Sequence, residues 1–318
     1  MTPDPASAVE TPAPLKSIPP ARDRLQSRLL VWIVAPFITL ACAQLIYMTL
    51  IYGPSWQFYL AKALAVSIAF ALAAWALRAA TPAAALIGGM ICLLLTCYTG
   101  ITMYSPLRSA LAPLLALFLL TFLATRAGRK QKMEHGLAES RKGRRVSQVI
   151  ANLGIAAILS NPVGDRAITW LAQNPKISDI NFYWVLCIII LAALAEATAD
   201  TVSSEIGQAF GGTPFLLTTF RRVPPGTDGA ISLIGTITGI LAATIVVGVG
   251  AWSMHLHADQ FWIALVAGTC GLFFDSLLGA TVERRGYIGN DLVNFTSTAF
   301  AAGIALLAIR FGQDYLIR

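Results

Sequence analysis

The sequence predicts an all-α, polytopic membrane bundle of about nine transmembrane helices. Three observations lead there. Of the 318 residues, 56% are hydrophobic and only 12% charged, where a soluble domain carries about 25% charged residues. Apolar runs of roughly 20 residues, the length that crosses a bilayer, recur along the chain. The basic residues alternate between loops: with the N-terminus in the cytosol, 17 of the 23 Lys and Arg fall on the cytosolic side, as the positive-inside rule requires.

Residues 1–27, rich in Pro, Ala and charge and without an apolar period, read as a disordered cytosolic tail. Residues 28–318 read as a single transmembrane helical domain. No apolar core follows a short basic start, so no signal peptide is expected. The predicted spans are 29–51, 57–78, 82–100, 106–124, 146–160, 180–200, 229–251, 260–280 and 291–311. The fifth is short and runs into Asn161-Pro162, which suits a tilted or re-entrant segment. It is counted because omitting it would move Arg221, Arg222, Arg284 and Arg285 outside. Nine spans then leave the C-terminus outside. Gly88-Gly89 and Gly235-x-x-x-Gly239 suit close helix packing. The five cysteines all fall inside apolar stretches, without disulfide or metal-ligand spacing.

Segment 126–145 holds eight basic residues and divides four spans from five. It reads as a loop or surface helix that anchors topology beside anionic lipid. A second reading has Arg144 and Arg145, next to the fifth span, reaching an anionic substrate.

Acidic side chains in such a chain carry information, because a carboxylate at the centre of a membrane helix costs about 2.5–3.5 kcal/mol on insertion scales. Glu196, Asp200 and Glu205 close the sixth span, and Asp275, Ser276 and Glu283 close the eighth. Asn290, Asp291 and Asn294 open the ninth; Gln148 and Asn152 open the fifth. The predicted topology puts all of them in one leaflet. Oxygen ligands of this kind suit Mg²⁺, which binds through one or two carboxylates plus substrate phosphates. Asp200, Asp275 and Asp291 are the candidate ligands. The competing reading is that these groups only line a water-filled vestibule or cap helix ends.

The loop before the seventh span runs from Arg221-Arg222 through Pro224-Pro225-Gly226-Thr227-Asp228-Gly229. Arginines beside the free amides of a helix start make an anion site, so Arg221, Arg222, Gly226, Thr227 and Gly229 are candidates for phosphate. Asp228 would repel phosphate and is better read as a helix cap or metal ligand. No G-x-x-x-x-G-K-[ST] loop occurs. Nothing in the chain points to nucleic acid.

The strings RRVSQVIANLG (144–154), EATADTVSSEIG (196–207), RRVPPGTDGAISLIGT (221–236), FDSLLGATVE (274–283) and NDLVNF (290–295) resemble the integral membrane family of transmembrane protein 19. Plant and cyanobacterial members of that family include phytyl phosphate kinase. The resemblance covers about residues 60–318. It implies transfer of a phosphoryl group from a nucleoside triphosphate, CTP or ATP, to an isoprenyl monophosphate, in the presence of Mg²⁺. Within the matching motifs, Asp200, Glu196, Glu205 and Asp275 are the candidate catalytic acids. Arg144, Arg145, Arg221, Arg222, Gly226, Thr227, Gly229, Ser276, Asn290 and Asn294 are the candidate substrate contacts. The implied partners are the bilayer, the isoprenyl phosphate and the nucleotide; in a prokaryote the location would be the cell membrane. A transporter or flippase for an anionic lipid or small solute is the alternative, since mid-depth acids among small-residue helices suit that class too.

Overall fold

The computed structural model describes residues 18–100, 105–134, 136–137, 143–164, 166 and 179–316. They form a helical bundle. Its elements are α1 (Pro20–Ile51), α2 (Pro54–Ala76), α3 (Pro82–Tyr98), α4 (Leu111–Arg126), the short α5 (Arg129–Glu134), α6 (Val146–Leu159), α7 (Asp179–Phe210), α8 (Leu233–Met254), α9 (Ala258–Leu278) and α10 (Asn290–Leu316). The all-α expectation needs one small correction. β1 (Phe215–Leu216) and β2 (Ala230–Ile231) pair antiparallel, with Phe215 opposite Ile231, and clasp the two ends of the loop between α7 and α8.

Among the described residues six helices are long and apolar enough to cross a membrane: α1, α2, α7, α8, α9 and α10. Three more are apolar but shorter, α3, α4 and α6 with 17, 16 and 14 residues. At 1.5 Å per residue α6 reaches only about 21 Å, less than the roughly 30 Å hydrocarbon core. It is tolerated because it is enclosed by α1, α3, α7 and α10, so protein rather than lipid meets its ends.

The most buried span is α7, in which every residue from 185 to 199 is buried. Around it stand α4, α6, α8, α9 and α10. The contact with α8 is the closest kind: a methyl group placed on Gly235 or Gly239 would strike the backbone oxygens of Ser203 and Ala199, the small-residue seam expected of Gly235-x-x-x-Gly239. By contrast α1 turns Trp32, Ile33 and Leu40 outward, as a lipid-facing helix does.

The N-terminal tail also differs from expectation. Residues 1–17 lie outside the described residues, but 20–27 are helical rather than disordered. Proline at the first helical position is pre-set for a start. Loop 286–291 supplies the partners that a free polar stretch would lack. Arg22 donates to the Gly286 carbonyl at 2.8 Å, Gln26 donates to the Tyr287 carbonyl at 2.8 Å, and Gln26 Oε1 accepts from the Gly289 amide at 2.8 Å.

The same end of the bundle gathers the end of α2, the start of α3, the end of α4, the start of α6, the end of α9 and the start of α10. Hydrogen bonds join them: the Arg126 guanidinium donates to the Leu77 carbonyl, and the amides of Thr81 and Arg144 bond across to the Arg144 and Ala79 carbonyls. At the opposite end, Ser253 bonds the Ser109 carbonyl and Tyr183 bonds the Thr99 carbonyl.

Candidate active site

The carboxylates of α7 and α9 meet where the two helices cross near the first end. Asp200 and Asp275 are both half-buried and lie within hydrogen-bonding reach of each other. Ser204 lies one turn past Asp200 on the same helix, and the Ser297 hydroxyl of α10 donates to Asp275 Oδ2 at 3.1 Å. The two predicted amide positions join them. Asn294 Nδ2 of α10 donates to Asp200 Oδ2 at 3.3 Å and to Asn152 Oδ1 of α6 at 3.0 Å, while Asn152 Nδ2 faces Thr201 Oγ1 at 3.4 Å. Four helices therefore contribute to one polar cluster.

Glu196 lies one turn deeper on α7 and is 1% exposed. It is wedged against Gly271 of α9, where an added methyl would strike its Cγ. Among the described residues neither of its carboxyl oxygens has a hydrogen-bond partner; the neighbouring Ser297 hydroxyl donates to Asp275. A buried polar group without a partner is costly, and packing alone does not account for a sealed carboxyl beneath an open pair.

Arg144 is the cation whose charge bears on Asp200. Its backbone is pinned as a one-residue parallel bridge to Ala80. Gly143 makes the approach possible: its φ is +80°, and a Cβ there would fall 2.7 Å from the backbone of Arg78, Ala79 and Ala80. The neighbouring Arg145 is exposed and starts α6, its amide donating to Gln148 Oε1 at 2.8 Å.

Beside the carboxylates, between α2, α3, α4 and α6, opens a cavity of about 400 Å³. Phe70, Gly88, Leu114, Phe118 and Leu153 form its apolar walls, and Arg78, Arg126, Arg129, Lys132 and Arg144 belong to its lining as well. Asn152 and Arg144 belong both to this cavity and to the acid cluster. Sequence reasoning misses the cavity. It takes the segment 126–145 for a topology anchor, with Arg144 and Arg145 alone offered to an anionic substrate, and nothing along the chain ties Arg78 to Arg129.

Other candidates go elsewhere. Glu205 is not directed at the open carboxylate pair but forms an ion pair with Lys132 of α5 at 2.5 Å and accepts from Thr125 Oγ1 at 3.3 Å. Lys132 is itself buried, and also donates to the Thr125 carbonyl at 2.8 Å. Asp291 accepts from Ser27 Oγ of α1 at 2.7 Å. Among the described residues no three His, Cys, Asp or Glu side chains are grouped to hold an ion, so the expected triad of Asp200, Asp275 and Asp291 is not assembled. The reason is local: Asp291 begins α10, where the first turns of α1 claim it. Ser276 bonds back to the Leu272 carbonyl of its own helix, and Asn290 is exposed at the start of α10.

The Pro-Gly loop has defined geometry. Arg221 and Arg222 are exposed on the edge of the β-clasp, and Thr227 Oγ1 bonds the Pro224 carbonyl at 2.7 Å. Gly226 has a left-handed φ and faces Leu137. Gly229, with φ +69°, touches the backbone of Gly279 and Ala280 in the π-helical turn Gly279–Glu283 that ends α9. Two of the sequence motifs are thus in direct backbone contact, and no side chain beyond hydrogen fits between them. Turns of this type recur at functional sites.

These features define an integral membrane protein whose buried carboxylates open beside a cation-lined apolar cavity. The chain belongs to the family described as Integral membrane protein DUF92, which matches residues 65–302. Protein VTE6, chloroplastic, of Arabidopsis thaliana is 30% identical over 199 residues, 62% of this chain and 57% of that protein. An uncharacterized membrane protein of Methanocaldococcus jannaschii is 34% identical over 61% of this chain and 74% of its own length. One from Synechocystis is 31% identical over 60% and 70%. No solved structure matches.

Proposed function

We propose that this protein transfers a phosphoryl group from a nucleoside triphosphate to an isoprenyl monophosphate, yielding the isoprenyl diphosphate and the nucleoside diphosphate. The observation that carries the reading is the Asp200–Asp275 pair, half-buried, in mutual reach and tied through Asn294 to Asn152 at the edge of the cation-lined cavity. The motif resemblance to the phytyl phosphate kinase family supports the same reaction class.

Two anions must approach each other in this reaction, so positioning and charge neutralisation dominate catalysis. An oxygen of the acceptor phosphate attacks the γ-phosphorus in line as the bond to the nucleoside diphosphate breaks. The acceptor oxygen is already anionic and needs no strong base. Arg144 holds phosphate, and Asn152 and Asn294 orient the Asp200 carboxylate. Two carboxylates this close repel one another unless a proton or cation lies between them. Mg²⁺ needs only one or two carboxylates plus substrate phosphates, so Asp200 and Asp275 fit it and would hold it, with charge neutralisation as its contribution. The exposed Arg221 and Arg222 are left for the nucleotide.

The positive-inside rule puts this end in the cytosol, with nine crossings if the short α3, α4 and α6 also span. One observation favours the alternative of transport: Glu196, partnerless within the most buried span, is the kind of intramembrane acid that ion-coupled carriers use. Purified protein in detergent, given prenyl monophosphates of several lengths with CTP or ATP, separates the two. Diphosphate formation that stops on chelating Mg²⁺ supports the kinase. No turnover, with uptake of the lipid phosphate or solute in reconstituted vesicles, supports transport.

A further inference from the structure

The cavity between α2, α3, α4 and α6 has an uneven distribution of charge that its position alone does not require. Among the described residues five of its lining side chains are cationic and none is acidic. The cations belong to helix ends and connecting turns: Arg78 follows α2, Arg126 ends α4, Arg129 and Lys132 lie on α5, and Arg144 precedes α6. Apart from Ala79 and Ala80 in the turn after α2, the apolar side chains of the lining belong to helices. Along α4, the lining runs from Arg126 back to Leu114, about 18 Å at 1.5 Å per residue. A set of arginines that only fixed topology would be spread over the surface; these converge on the mouth of an apolar cleft.

The cations are not equivalent. Lys132 is neutralised by Glu205, and Arg126 is held by the Leu77 carbonyl and stacks on Phe122 with 4.0 Å to the ring centroid. The arginines carry the excess positive charge, and of these Arg78 and Arg126 are exposed while Arg129 and Arg144 are half-buried. Asn152 lines the cleft and is bonded through Asn294 to Asp200, so an anion at this mouth lies near the carboxylate pair.

We propose that this cleft is the seat of a single-chain lipid phosphate, its monoester head held by Arg129 and Arg144 and its apolar chain lying along Leu114, Phe118 and Phe70. The volume suits one chain rather than two, since about 400 Å³ is at the small end of ligand pockets. Gly88 is the chain-length gauge. Within 4 Å, a Cβ there would meet only Phe70 Cε1 at 3.6 Å, an ordinary contact, so a larger side chain grows into the cleft without displacing backbone. The proposal rests on the kinase reading for what happens to the phosphate, but not for the binding itself.

Binding of a radiolabelled twenty-carbon prenyl monophosphate to the purified full chain, without nucleotide, tests it. Arg129→Gln should weaken that affinity about tenfold, and Arg129→Lys should restore most of it; the corresponding prenyl alcohol should bind both variants alike. Gly88→Leu should weaken the twenty-carbon ligand about tenfold and leave a ten-carbon one within about twofold. Elution profile and unfolding temperature establish that each variant is folded. Wild-type affinities in both Arg129→Gln and Gly88→Leu, or no binding by the wild type, would overturn the site. Equal competition by diacyl phosphatidic acid would make it a phospholipid site, and equal competition by inorganic phosphate a simple anion site; either result defeats the proposal. The expected binding pattern without diphosphate formation on adding nucleotide would sink the kinase and keep the cleft. Turnover together with unaltered binding in both variants would do the reverse.

Discussion

The two ends of the bundle use their polar groups differently. At the far end they close the structure. Arg108 donates to the Trp252 carbonyl at 3.0 Å and stacks on the Trp252 ring; Ser253 and Tyr183 bond the Ser109 and Thr99 carbonyls. Each bonds a backbone carbonyl, and those of Trp252 and Thr99 lie at the C-terminal ends of α8 and α3, which leave carbonyls open. At the near end the pattern is mixed. Lys132 and Arg126 close carbonyls in the same way, but Asp200 faces Asp275, Glu196 has no partner, and cations collect around an apolar cavity. Polar groups that stabilise a fold are matched to fold partners. Groups held against like charge, or against nothing, are matched to something the fold does not contain.

The largest effect should come from the like-charged pair. Asp275→Asn keeps the shape and removes one charge, so diphosphate formation should fall about 10²–10³-fold, the range seen when one electrostatic stabiliser of a transition state is removed. Initial rates in detergent measure this; a decrease smaller than about threefold would show that the near end is closed structure like the far one.

Next comes the buried ion pair. Removing one partner of such a pair costs about 3–5 kcal/mol, whereas replacing both with apolar residues is often nearly neutral. Lys132→Met should therefore lower the unfolding temperature clearly, and Lys132→Met with Glu205→Met should recover most of it. Recovery of stability with activity would place Glu205 on the structural side of the comparison; recovery of stability without activity would return it to the chemistry.

Smaller again is the loop. Arg221→Lys and Arg222→Lys keep charge but lack the planar fork. Apparent nucleotide affinity should weaken, by about tenfold for each 1.4 kcal/mol of binding free energy that the fork supplies. Full activity of the double variant at subsaturating nucleotide would leave these exposed arginines as topology signals. The smallest effect belongs to the far end. Arg108→Gln should cost about 0.5–1 kcal/mol of stability through its cation–π interaction and leave the initial rate unchanged.

Much of the near end is legible in the sequence because membrane chains make polar residues rare. Glu196, Asp200, Asp275, Asn152 and Asn294 each stand out within an apolar run, and helical spacing with alternating spans sends them to one place. The Gly235 and Gly239 seam follows from the same periodicity. What is not legible depends on partners distant in sequence. Lys132 looks like one more charge in a basic loop, and only the fold shows it buried against Glu205. Asp291 shares a motif with Asn294, but Ser27 takes it. The first turns of α1 have no apolar period and become helix because loop 286–291 bonds them. The cation-lined cavity draws on several separate turns and helix ends, and no local pattern announces it.

The reaction proposed for the near end turns on direct passage of a phosphoryl group to a lipid phosphate at Asp200. A nucleoside triphosphate labelled in its γ-phosphate, incubated with a prenyl monophosphate, Mg²⁺ and the purified chain, tests this most directly. The expected result is label in the lipid diphosphate, abolished in Asp200→Asn and undiminished in Arg108→Gln. Label released only as inorganic phosphate, or label entering the lipid equally in Asp200→Asn, would contradict it.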